Sequence, residues 1–134
     1  MQSQTLLESI SNNDDIAIDT FKQYRLSIGV SCKKCGHTDH YWLGSKNQFQ
    51  CKECRFRTTI RSGSVMESCK LPLSYFFIAM SLLIESEGKL TVEELQKATN
   101  HKYYEPVWSF LHKVKSYYKS EFNANEYSEF LLSL

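Results

Sequence analysis

No apolar run in this 134-residue chain is long enough to span a bilayer. The longest, YFFIAMSLLI, has ten residues, about half of what a transmembrane helix needs, and reads instead as a buried helix. The amino terminus, MQSQTLLESISNNDDIAID, lacks the basic n-region and small-residue cleavage site of a secretory signal. No export is expected, and the expected compartment is a reducing cytoplasm, where paired cysteines more often hold metal than each other. Net charge is almost absent, at +1. Internal repeats are absent apart from a doubled Cys-x-x-Cys. What is present is enough for a fold: a hydrophobic fraction of 42% and an aromatic fraction of 13% exclude a disordered chain.

The small net charge hides an uneven distribution. Residues 31–70 carry eight basic residues (Lys33, Lys34, Lys46, Lys52, Arg55, Arg57, Arg61, Lys70) against Asp39, Glu53 and Glu67. Over 97–119, Lys97, Lys102, Lys113, Lys115 and Lys119 face only Glu105. Two basic segments in a near-neutral chain point to a polyanion-binding face; the plain alternative is a solvated surface of mixed charge.

Patterning divides the chain into an N-terminal helical segment (1–27), a strand-rich module (28–65), a helical bundle (71–119) and a C-terminal helix (120–134). The N-terminal segment reads as helical over 5–27 with a polar break at SNNDD. Asp14 or Asp15 can cap its second part, and Ile16, Phe21, Tyr24 and Leu26 are its apolar positions. HYWLGS, NQFQC and FRTTI are short and aromatic or β-branched, with SKN as a hairpin turn. Pro72 then suits the first turn of a helix ending at Gly88 as C′ glycine. TVEE offers a capping box, Thr91 with Glu94, for a short helix to about Thr99. After a turn at Asn100 and His101, Pro106 opens a third helix whose stripe is Val107, Phe110, Leu111, Val114 and Tyr118. A last short helix carries Tyr127, Phe130, Leu131 and Leu134. The expected fold class is a small α+β protein: N-terminal helices, a zinc-ribbon β-hairpin module, and a helical bundle of helix-turn-helix type.

The chemistry concentrates in CKKCGHTDHYWLGSKNQFQCKEC. Its Cys-x2-Cys-x15-Cys-x2-Cys spacing, Cys32, Cys35, Cys51 and Cys54, puts two sulfurs at each of two knuckles across a hairpin, the tetrahedral donor set of zinc. Gly36 lets the first knuckle turn tightly. A thioredoxin-like redox pair needs one such motif beside a βαβ unit, and the hairpin-sized gap favours one zinc over an iron–sulfur cluster. His37 and His40 are substitute ligands of lower rank, because four thiolates already close the site. A closed tetrathiolate has no open position, so the zinc is expected to be structural. Lys33, Lys34, Lys52 and Arg55 would offset its negative charge, which also explains them without any partner. Cys69 has no partner and reads as a small core or boundary residue.

The order CKKCGHTDHYWLGSKNQFQCKECRFRTTIRSGSVME, KLPLSYFFIAMSLL, GKLTVEELQKA and VWSFLHKVK, led in by FKQYRLSIGVSC, resembles the N-terminal region of bacterial insertion-sequence transposases that begin with a zinc ribbon. The resemblance spans roughly residues 5–117. It implies a ribbon and helix-turn-helix that recognise a transposon end, with zinc on the four cysteines. It also implies that Trp108, His112, Lys113 and Lys115 lie on a recognition-type helix. The family's acidic catalytic domain has no counterpart here: all four aspartates, Asp14, Asp15, Asp19 and Asp39, precede residue 40, whereas a two-metal strand-transfer site draws on separated carboxylates of a large domain. TNHKYYEPVW also differs from the family's Gly-containing turn, placing Tyr103, Tyr104 and Glu105 where base edges would be met.

The resulting expectation is a non-catalytic module that binds double-stranded DNA. Arg55, Arg57, Arg61, Lys102, Lys113, Lys115 and Lys119 would meet phosphate, and Tyr103, Tyr104 and Ser109 would meet bases. Trp108 and His112 are expected to pack within the bundle, and the tyrosines read equally well as a half-buried turn. The alternative is a protein-interaction or regulatory module that keeps the zinc-ribbon fold but has lost specific DNA binding, with a homodimer or protein partner docked on the apolar EYSEFLLSL. No membrane and no small-molecule substrate is expected, and an enzyme acting through the zinc is the weakest reading.

Overall fold

A computed structural model describes residues 13–120 and 124–133. The expected helical turn at TLLESI and the side chains of Leu131 and Leu134 lie outside the described residues. The elements run α1 (Asp14–Ile28), β1 (His40–Leu43), β2 (Gln48–Cys51), β3 (Arg57–Thr59), α2 (Ser74–Glu85), α3 (Val92–Thr99), α4 (Tyr104–Ser120) and α5 (Ala124–Ser133). This is the expected α+β class. No described helix is long and apolar enough to cross a membrane.

Helix α1 starts one or two residues earlier than expected. Asn13, not Asp14 or Asp15, is the N-cap, its Oδ1 accepting from the Asp15 N–H at 2.9 Å and the Ile16 N–H at 3.4 Å. The aspartates fall in the first turn, where their charge complements the helix dipole. The buried stripe is Ala17, Thr20, Phe21, Tyr24 and Arg25. Ile16 and Leu26, two of the apolar positions read from the sequence, are exposed, because the stripe at 17, 21 and 24 turns both aside.

The three strands form one antiparallel sheet in the order β1-β2-β3. Register pairs His40 with Cys51, Trp42 with Phe49, and Phe49 with Thr58. Side chains alternate between faces, so Trp42, Phe49, Cys51 and Thr58 share one. Phe49, 1% exposed, packs on Trp42 with ring centroids 5.0 Å apart and lies under the Arg25 guanidinium at 5.8 Å. Lys22 covers the Trp42 ring at 5.3 Å. The sheet therefore rests against α1.

Helix α2 is buried around most of its circumference, through Phe76, Phe77, Ile78, Ala79, Met80 and Leu83. Pro72 stands just ahead of its N-cap, Leu73, rather than inside the first turn, and its carbonyl accepts from Tyr75. At the other end the left-handed residue is Glu87 (φ 54), followed by Gly88 (φ 88). Gly88 N–H reaches Leu83 O at 2.8 Å and Glu87 N–H reaches Ile84 O at 3.3 Å, a Schellman closure in which glycine is C″ and not the expected C′. The Thr91–Glu94 capping box of α3 forms as expected. Asn100 then turns the chain at φ 53, a conformation asparagine tolerates. Pro106 is the third residue of α4, where no N–H is needed. Val107, Phe110, Leu111 and Val114 of α4 are buried, while Tyr118 is partly buried against the core. Helices α2, α3 and α4 pack on one another, and α1 on α2.

Tyr127 and Phe130 of α5 enter the same core, their rings against Tyr24 at 5.8 Å and 5.4 Å. The described apolar face of α5 is thus used inside the chain, with Leu132 exposed. Burial and the neighbouring Tyr117 hydroxyl, 2.6 Å away, push the Tyr24 phenol far above its ordinary range.

Arg25 joins the sheet to the helices. It is 5% exposed, and its Nη1 donates to Ile60 O at 2.8 Å and Ser62 O at 2.7 Å, where the chain leaves β3. Burial lowers its pKa, an effect opposed by the charge of Glu67. Replacing it removes two charge-assisted bonds and strands the two carbonyls, so Arg25→Met is expected to cost about 3 kcal/mol in urea unfolding. A change under about 0.5 kcal/mol would contradict this bracing role.

Candidate metal centre

The two cysteine knuckles are built alike. In the first, Cys32 N–H donates to His37 O and Gly36 N–H to Cys32 O, both at 2.9 Å. In the second, Cys51 N–H donates to Phe56 O and Arg55 N–H to Cys51 O, again at 2.9 Å. Each pair of bonds folds the chain sharply back after the second cysteine, which requires positive φ at the equivalent residue. Gly36 supplies it at φ 79; in the second knuckle Arg55 does so at φ 67. A side chain there costs about 1–2 kcal/mol that glycine does not.

The hairpin β1–β2 brings the knuckles together. The four sulfurs lie within 4.8 Å of one another, with Cys32 Sγ to Cys54 Sγ and Cys35 Sγ to Cys51 Sγ both 3.5 Å. A tetrahedral Zn²⁺ with Zn–S of ~2.3 Å separates its sulfurs by about 3.8 Å. The cluster fits one zinc ion held by four thiolates, with no protein position left open. His37 and His40 are outside the cluster. Both ring nitrogens of His40 are buried without a hydrogen-bond partner, and its ring meets Phe49 edge-on at 6.3 Å.

Two of the donors, Cys32 and Cys51, are disposed to lose their protons. Desolvation raises the Cys32 thiol, but N–H groups of Cys35 and Lys34 and the neighbouring Cys54 and Cys35 sulfurs outweigh it and lower the pKa to about 6. Backbone donors from Cys54 and Glu53 likewise lower Cys51. For Cys35, the pull of the His37 N–H is exceeded by desolvation and by the sulfurs already carrying charge, which push it up to about 12. Four thiols in one place cannot all ionise without a cation, which is the role of the metal.

Two of the nearby lysines are paired. Lys33 Nζ reaches Glu67 Oε1 at 3.1 Å and Ser62 Oγ at 2.9 Å, tying the first knuckle to the loop after β3. Lys33 also holds the Glu67 carboxyl below its ordinary pKa. Lys52 pairs with Asp39 at 3.3 Å and covers the Tyr41 ring at 5.0 Å.

The other expected site residues are scattered over the surface. Arg55, Arg57, Lys102, Tyr103, Tyr104, Ser109, Lys113 and Lys119 are exposed, and Lys115 is half-buried. Arg61 is half-buried and donates to Cys69 O at 2.8 Å, bracing the loop between β3 and α2. Cys69 is partly buried against the core. Tyr103 is 66% exposed and stands clear of the fold, while Tyr104, at 48%, is about half covered. Trp108 and His112 do not pack within the bundle. They lie one helical turn apart on the outer side of α4, with ring centroids 4.1 Å apart and Trp108 46% exposed. The buried stripe begins at Val107, and a residue one step on is rotated about 100° away from it. Sequence reasoning missed Arg25; its signal was its place beside Tyr24 on the stripe through Ala17 and Phe21.

Residues 12–57 match the family model described as the transposase zinc-ribbon domain. No curated protein and no solved structure matches the chain.

Zinc is expected at one per chain. Cys51→Ser should abolish its retention, and strong chelation should unfold residues 28–65, followed by metal analysis and near-ultraviolet circular dichroism. A metal-free protein with an unchanged ribbon would overturn the assignment. Arg55→Gly relieves the positive φ, and is expected to leave zinc content unchanged and resistance to chelation equal or greater.

Proposed function

We propose that the chain is a non-catalytic DNA-binding module, with the metal-stapled ribbon and the α2–α3–α4 helices working as one platform. The observation that carries this reading is the match of residues 12–57 to a zinc ribbon of transposases, proteins whose chemistry is on DNA. The helices that follow support it. A short α3 capped by Thr91–Glu94, a turn at Asn100, and a longer α4 with an uncovered outer face have the outline of a helix-turn-helix, with α4 in the recognition position. Arg55, Arg57, Lys102, Lys113, Lys115 and Lys119 would contact phosphates, with Arg61 at the margin, while Tyr103, Tyr104 and Ser109 lie where bases would be met. The metal has no catalytic part in this reading, because a closed tetrathiolate activates no water. A cytoplasmic location follows from the reducing environment such thiols require.

The zinc-loaded protein is expected to retard duplex DNA at 50 mM salt, with affinity falling steeply as salt rises. Arg57→Ala and Lys113→Ala should each weaken binding and lower the slope of log K against log salt by about one. Absence of any duplex binding at low salt, in protein with full zinc content, would overturn the reading. A salt-independent association would point to an apolar protein interface instead.

A further inference from the structure

The outer face of α4 carries flat rings that a B-form duplex cannot use well. Tyr104, Trp108 and His112 follow one another at four-residue spacing, which places them along one side of a helix. All three are exposed, and Tyr103 stands beside them at 66% exposure. Large exposed aromatics aligned on one face mark a binding surface. Within a duplex every base face is covered by its neighbours, leaving edges, methyl groups and phosphates to be read. Only unpaired bases offer free faces, and aromatic side chains are the usual platform for them.

Lys115 and Lys119 follow His112 at three- and seven-residue spacing, which puts positive charge on the same side of α4. His112 also borders an open groove of about 770 Å³, lined more by apolar residues such as Phe21, Val65, Phe76 and Tyr117 than by polar ones such as Lys113 and Ser116. The groove's acidic residue, Glu67, has its carboxylate bound to Lys33 at 3.1 Å. Among the described residues Lys113 makes a long contact, 3.4 Å, to the Glu67 carbonyl oxygen. Glu105 is exposed at the start of α4 and disfavours phosphate there, which directs the backbone of a bound strand towards Lys115 and Lys119 at the other end of the helix.

We propose that this face binds single-stranded DNA, with bases stacked on Trp108, His112 and Tyr104 and phosphates running past Lys115 and Lys119. The proposal rests on the DNA-binding reading and extends it from duplex to unpaired strand, such as a frayed or opened end. Binding of the full zinc-loaded chain to a labelled oligo-dT strand and to a duplex of the same length, both at 50 mM salt, tests it. The single strand is expected to bind and to quench tryptophan fluorescence. Trp108→Ala is expected to weaken single-strand binding about ten- to a hundredfold while changing duplex binding less than about threefold, with zinc content and thermal unfolding unchanged. His112→Phe, which keeps a ring face, should retain most of the single-strand affinity, whereas His112→Ala should not. Equal loss on both DNAs in Trp108→Ala would overturn the stacking role, as would duplex binding without single-strand binding; both leave the broader reading standing. Failure to bind either DNA would remove both. A dimer in sedimentation that dissolves in Trp108→Ala would reassign the face to a protein partner and overturn the proposal.

Discussion

A sheet of three strands, none longer than four residues, cannot hold itself together in water. That constraint governs the ribbon and, through it, the rest of the chain. Support comes from both ends. At the knuckles, four thiolates around one metal convert metal-binding free energy into folding free energy. At the other end Phe49 sits beneath Arg25, whose Nη1 holds the carbonyls of Ile60 and Ser62. A guanidinium suits this place better than a lysine ammonium, because its flat, delocalised face covers the ring while its Nη1 bonds both carbonyls. Lys33, bridging to Glu67 and Ser62, ties the loop after β3 back to the first knuckle. The ribbon is therefore held against the helical core rather than swinging from a tether.

The parts legible in the sequence were those set by short-range rules. Cysteine spacing fixes the donor set, alternation and turn residues fix the three strands, and the Thr91–Glu94 box fixes the start of α3. The misreadings arose where two residues of similar character compete for one role. Asn13 and the two aspartates after it can each cap a helix, and the extended backbone at Asn13 (φ −144, ψ 112) decides between them. Glu87 rather than Gly88 takes the first left-handed position of the α2 terminus because the helix runs only to Glu85. Trp108 and His112 are apolar enough to read as core, yet helical geometry gives the core to Val107, Phe110, Leu111 and Val114. Arg25 was invisible for the opposite reason, since a charged residue on a buried stripe reads as surface until its carbonyl partners, thirty-five and thirty-seven residues away, are known.

Pairing also sorts the basic residues, which composition alone leaves as one patch. Lys33 and Lys52 are held by Glu67 and Asp39, and Arg61 by the carbonyl of Cys69. Their charge serves mainly the ribbon, offsetting the thiolates and anchoring the loop. The exposed cations outside those pairs include Arg55, Arg57, Lys102 and Lys119. These lie on the second knuckle with the start of β3, and around α4. A polyanion meeting the molecule would thus be drawn to the distal side of the ribbon and to the third helix of the bundle.

Arg55 shows why the second knuckle is not simply a copy of the first. The same two hydrogen bonds, both 2.9 Å, close each turn, and the same positive φ is needed. Glycine meets the requirement without strain at position 36; at position 55 an arginine occupies it at φ 67 and remains exposed. Its guanidinium makes no contact that stabilises the turn among those seen for the described residues, so the strain is not offset locally. The positive φ at Arg55 is thus a demand of the metal-closed turn, met with strain that glycine avoids at position 36. On the proposed DNA-binding surface Arg55 and Arg57 are neighbours at the ribbon's outer end, and the stiff metal-closed turn beneath Arg55 fixes where its charge is presented.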